Sequence, residues 1–139
     1  MPGAHPFLKV LAAQMATHAG ELQTARMLWT ATYKTSKDAN IQANAVAHLR
    51  ALQVDEDVNN LEALLALYRR KTGHFPAGFQ ELEAAGLLRG IPVDPLGLPY
   101  KLTPDGRVEV RDPDDLPFIE KGMPPGYVPP KQARFLPAD

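Results

Sequence analysis

The chain has 139 residues, no cysteine, and a formal charge of -1 from 15 basic and 16 acidic side chains. That length fits one domain that can bury a core without covalent staples. Disulfides and thiolate metal sites are excluded, and the balanced charge lacks the basic excess carried by non-specific nucleic-acid binders.

No apolar run approaches the roughly 18 residues that a membrane helix needs, so no direct membrane insertion is expected of this chain. The opening MPGAHPFLKVLAAQ lacks the basic start and long apolar core of a signal peptide. A periplasmic placement would require a leader removed upstream of it; otherwise the cytoplasm is expected.

Pro6 suits a first helical turn, and a helix over about 6–18 aligns Phe7, Val10, Leu11 and Met15. Gly20 supplies its stop. A second helix over about 21–35 aligns Leu22, Ala25, Trp29 and Thr32/Tyr33 at spacings of three and four. Ser36 or Asp38 caps a third helix, whose apolar side carries Ile41, Ala45, His48, Leu49 and Leu52. His48 reads as a hydrogen-bonded core or boundary histidine, because no second histidine lies three or four residues away.

The cluster Asp55, Glu56, Asp57 reads as the favourable charge at the start of a fourth helix. Val58, Leu61, Leu64, Leu65 and Tyr68 give that helix the strongest 3.6-residue period in the chain. Arg69, Arg70 and Lys71 close it and Gly73 ends it. Four helices with short breaks predict antiparallel hairpins over residues 1–72.

Residues 12–37 resemble a tetratricopeptide repeat. Ala12 and Ala13 fall where the first helix of that repeat carries its leucine and small residue. Gly20, Ala25, Trp29 and Thr32 fall at its small turn residue, alanine, aromatic and second small position. Lys37 replaces the closing proline and Ala16 the common tyrosine. Residues 38–72 would form the next helical pair. The resemblance implies protein or peptide binding on a concave face. By their spacing Trp29 and Tyr33 read as core or helix-pair interface; for a bound partner the expected contacts are Trp29, Tyr33, Asn40 and Asn44, with Tyr127 from the tail.

Gly73 to Asp112 is fenced by glycine and proline. Phe79, Leu82 and the adjacent Glu81 and Glu83 predict a short helix over about 77–85, stopped by Gly86. Leu87, Leu88 and Ile91 are expected to be buried against the bundle. Pro99-Tyr100-Lys101-Leu102 and Arg107-Val108-Glu109-Val110 alternate, and Thr103-Pro104-Asp105-Gly106 between them has hairpin-turn chemistry. Residues 73–111 thus form a cap of one short helix and a β-hairpin.

Residues 61–110 resemble the C-terminal part of the major pseudopilins of type II secretion. The matching parts are Tyr68, Gly73-His74-Phe75-Pro76, Glu81-Leu82 through Gly86-Leu87-Leu88, the run Pro92-Val93-Asp94-Pro95-Leu96-Gly97-Leu98-Pro99-Tyr100, and the hairpin around Asp105-Gly106. The family implies a long helix leading into such a cap. Its calcium loop lies beyond the strand pair, where Asp112, Asp114 and Asp115 are the nearest donors; these three read as a surface turn.

Residues 112–139 form a Pro-rich extended arm. Phe118, Ile119, Met123, Tyr127, Val128, Phe135 and Leu136 make it too apolar for a freely solvated tail, so it is expected to lie over its own bundle or a neighbour's. The run PPGYVPP also suits an aromatic-lined groove elsewhere.

No metal-binding histidine pair, dinucleotide fingerprint, phosphate loop or nucleophile elbow is present, and Ser36 is the single serine. The overall expectation is a mainly α protein of tetratricopeptide-like helical hairpins with a β-hairpin cap. It is read as a non-enzymatic interaction or assembly scaffold, without cofactor, that binds a protein or peptide or associates with itself. The alternatives are an accessory or structural part of a pilus or type II secretion-like apparatus, and a small hydrolase using Glu81, Glu83 or Asp94.

Overall fold

The computed structural model describes residues 22–129. The expected helix over 6–18, and with it Ala12, Ala13, Ala16 and Gly20, lies outside them, as do the last arm residues, 130–139. The described chain is mainly helical, with a small antiparallel sheet. Its elements are α1 (Leu22–Thr35), α2 (Ala39–Thr72), α3 (Phe79–Ala84), β1 (Lys101–Leu102), β2 (Val108–Glu109) and a 3-10 turn over Pro113–Asp115.

α1 and α2 form an antiparallel hairpin with a tightly closed bend. Asp38 takes extended backbone and its carboxylate accepts from the Asn40 and Ile41 N–H groups at 2.8 and 3.2 Å. The Gln42 amide reaches back and donates to the carbonyls of Tyr33 and Ser36, satisfying the end of α1. At the far end Gly73 adopts φ 90° and donates to the Arg69 carbonyl at 2.7 Å.

The expected third and fourth helices are one. α2 runs unbroken for 34 residues. Its sequence contains no glycine or proline, so nothing interrupts the backbone ladder. Asp55, Glu56 and Asp57 are therefore mid-helix residues rather than the charged start of a new helix. Residues 38–72 do not form the helical pair that the repeat resemblance implies.

α2 is the shared spine of two cores. Ala45 and Leu52 on it meet Ala25 and Trp29 of α1. One turn on, Ala51, Val54, Val58, Leu61 and Leu65 meet the cap, through Phe79, Leu82, Tyr100, Val108, Val110, Leu116 and Ile119. Burying a leucine such as Leu65 fully contributes about 2 kcal/mol, so the second core is the larger source of stability.

The cap hangs on turns. Pro76 leads to α3, and Leu87 N–H returns to the Leu82 carbonyl at 2.9 Å. In the hairpin, Lys101 pairs with Glu109 and Leu102 with Val108. Gly106 closes the turn by donating to the Thr103 carbonyl, with φ 82°. A Cβ there would lie 2.3 Å from the Phe75 ring, so both backbone and space require glycine. The arm, through residue 129, folds back on α2: Leu116 and Ile119 are buried and Val110 N–H donates to the Gly122 carbonyl at 2.8 Å.

Candidate interaction surfaces

The acidic residues of α2 fasten other segments. Asp55 Oδ1 accepts from the Glu120 and Lys121 N–H groups, both at 3.0 Å. Glu56 pairs with Arg26 of α1 at 2.6 Å. Asp57 Oδ2 accepts from the Tyr100 hydroxyl at 2.7 Å, and Glu62 Oε2 from the Val108 N–H at 3.0 Å. Burial pushes the Asp55 carboxyl up to about 6 despite its two backbone donors. It also raises the Tyr100 phenol, helped by the neighbouring Asp57 charge.

Asp94 organises the Pro92–Tyr100 loop. Its side chain is buried, and Oδ1 accepts from the Leu96 and Leu98 N–H groups at 2.8 and 3.1 Å. Its backbone bonds with Leu98 and Gly97 close the same turn. Oδ2 is buried without a hydrogen-bond partner among the described residues. The run is a self-closing loop that delivers Tyr100 to α2.

His48 lies inside a stack of three rings. Trp29 covers one face at 4.0 Å and 4°, and Phe118 the other at 3.9 Å and 7°. The expected hydrogen-bonded histidine is thus a stacked one: Nε2 is buried and finds no partner among the described residues. Burial lowers its pKa to about 4, so the ring is neutral at pH 7. Phe118 adopts φ 76°, a left-handed conformation that costs a non-glycine residue on the order of 1 kcal/mol. The His48 stack and the Asp55 bonds to Glu120 and Lys121, two and three residues on, hold it there.

The five residues expected to contact a partner do not converge. Trp29 is 0% exposed, packed between α1 and α2 against His48, and offers no contact surface. Tyr33 and Asn40 are exposed and Asn44 half-buried, all at the bend of the helical hairpin. Tyr127 belongs to the arm, where its hydroxyl donates to Asp114. That bond, followed by burial, raises the phenol to about 12.

Asp112 and Asp115 interact with each other, which raises Asp112. Among the described residues, no group of three or more histidines and carboxylates is arranged to hold a metal ion. No helix among them is long and apolar enough to cross a membrane.

An open groove of about 550 Å³ runs between the N-terminal end of α3 and β1. Phe79, Ile91, Pro99 and Leu102 line it, with Lys101 and Arg111 as its charged members. Ile91, expected to be buried, is 45% exposed, and nearby Val93 is 50% exposed. The tight Pro92–Tyr100 loop turns both away from the core. Sequence reasoning missed this surface; the Ile91-Pro92-Val93 alternation at the loop entrance was the available signal. Compared with family models, curated proteins and solved structures, the chain finds no significant match in any of the three.

Proposed function

We propose that the chain is a non-enzymatic protein-interaction or assembly module that receives a protein or peptide partner at the groove between α3 and β1. The observation that carries this reading is Ile91, an exposed apolar side chain lining that groove, with Val93 exposed two residues further along the chain. The carboxylates of α2 support it from the other side: Asp55, Glu56, Asp57 and Glu62 each hold a neighbouring segment. The test places a photo-crosslinking residue at position 91 in native cells, with the exposed Asn59 of α2 as control position. A discrete adduct from position 91 alone is expected. Adducts equal at both positions, or none at 91, defeat the reading.

A second reading is a structural or accessory part of a pilus or type II secretion-like apparatus. It is supported by the unbroken α2 running through Tyr68 and Gly73 into the Asp94 loop and hairpin. That order of parts is what the pseudopilin resemblance implies. Deleting the gene is expected to deplete the secreted or pilus fraction of the native organism. An unchanged fraction removes this reading.

A further inference from the structure

We propose that the groove between α3 and β1 takes an extended segment of a partner protein that alternates apolar and acidic residues and adds to the sheet as a third strand against Leu102. The inference rests on the interaction reading above and names the partner's chemistry.

The backbone argument begins at the turn. Thr103 N–H donates to the Arg107 carbonyl at 2.9 Å and Arg107 N–H to Thr103 Oγ1 at 2.9 Å, so residues 103 and 107 turn their polar groups toward each other. Antiparallel ladders alternate, so Leu102 and Val108 form a non-hydrogen-bonded pair whose N–H and C=O groups face outward. Val108 fits this, because its N–H goes to Glu62 on the outer side of β2. That side is further closed by the bond from Val110 to Gly122.

Among the described residues, the outer side of β1 is open at one residue. Tyr100 N–H is taken by the Pro92 carbonyl at 3.1 Å, and Pro104 has no N–H to give. Leu102 is left with one donor and one acceptor on the strand that lines the groove. Prolines on both sides limit the edge to this pair of groups, which disfavours open-ended strand stacking. A partner strand must therefore gain much of its affinity from side chains, and Phe79, Ile91 and Leu102 supply the apolar floor.

Charge selects the partner's polar positions. Among the described residues, Lys101 and Arg111 are the charged members of the groove lining, which includes no carboxylate. Arg111 gives its Nε–H to the Pro99 carbonyl and has no ion-pair partner among the described residues. Lys101 stands 4.0 Å from Glu109, which Arg107 already holds at 3.2 Å. Both cations are available to carboxylates on an added strand.

The test titrates a fluorescein-labelled octapeptide of alternating aspartate and valine into the full chain, read by anisotropy and by backbone NMR. Saturable binding is expected, with a shifted and exchange-protected Leu102 amide. A lysine–valine counterpart should bind about tenfold more weakly. Methylating the peptide's backbone nitrogens on the pairing edge should abolish binding. R111E and the double variant K101E/R111E should progressively reverse the charge preference, with circular dichroism confirming that each folds.

Absence of saturable binding overturns the proposal, as does binding that ignores charge or leaves the Leu102 amide unmoved. Concentration-dependent protection of that amide without peptide would instead assign the edge to a second copy and also overturn it. A partner crosslinked at position 91 together with a failed peptide titration leaves the groove an interface and removes only the strand addition. Failure of both removes the interaction reading as well.

Discussion

The Tyr100 hydroxyl donates to Asp57 Oδ2 at 2.7 Å, across 43 residues of sequence. It fastens the Asp94 loop to the middle of α2, and Tyr100 is 2% exposed. Tyr100→Phe keeps the ring and deletes the bond. A hydrogen bond to a carboxylate contributes about 1.5–3 kcal/mol, so a loss toward the lower end is expected for the half-buried Asp57. Urea unfolding measures it; an unchanged midpoint would show that the bond contributes nothing.

Gly106→Ala combines two penalties that can be separated. The φ of 82° costs alanine about 1 kcal/mol. Its Cβ would also strike Phe75, and overpacking of that kind adds about 1–3 kcal/mol. In a Phe75→Leu background the steric part should shrink while the backbone part remains. A double-mutant cycle with purely additive effects would contradict the contact.

Gln53→Pro tests the continuity of α2. Gln53 is exposed, and its amide donates to Asp57 Oδ1 one turn on. Proline inside an unbroken helix costs about 3 kcal/mol or more, whereas proline just ahead of a separate helix starting near residue 55 would be tolerated. A large drop in thermal midpoint with loss of helical circular dichroism is expected; near-native stability would restore two helices.

Asp55 and His48 set opposing pH dependences. Asp55 is raised to about 6 from the ordinary 3.8, so its protonation stabilises the fold fully below about 3.8 and that contribution is lost as pH rises through 6. His48 is lowered to about 4 from 6.5, so its contribution is present above 6.5 and lost as pH falls toward 4. Each is on the order of 2 kcal/mol once partial solvent screening is allowed for. Relative to the parent, Asp55→Asn should lose stability between pH 6.5 and 4, and His48→Phe should gain it over the same window. Chemical denaturation at several pH values reads both slopes, and parallel curves for parent and variants would refute the assignment.

The sequence by itself determined the punctuation of this protein and the local elements between its stops. Asp38, Gly73 and Gly106 act through their own backbone and nearest neighbours, so α1, the caps and the hairpin turn were legible as written. The mainly α class with a β-hairpin followed from the same local signals.

Tertiary structure decided what the charges and rings do. Asp55, Glu56 and Asp57 look like a helix start because carboxylates favour that position, yet their partners lie on α1, the cap and the arm. No window of sequence holds Asp55 and Glu120 together. Trp29 had the spacing of a core or contact residue alike, and only the packing of His48 and Phe118 placed it inside. Ile91 reads as core by composition, and the Asp94-closed loop turns it outward to the groove. Local hydrogen bonding is fixed by neighbours in the chain; burial and charge pairing depend on which distant segments the fold brings together.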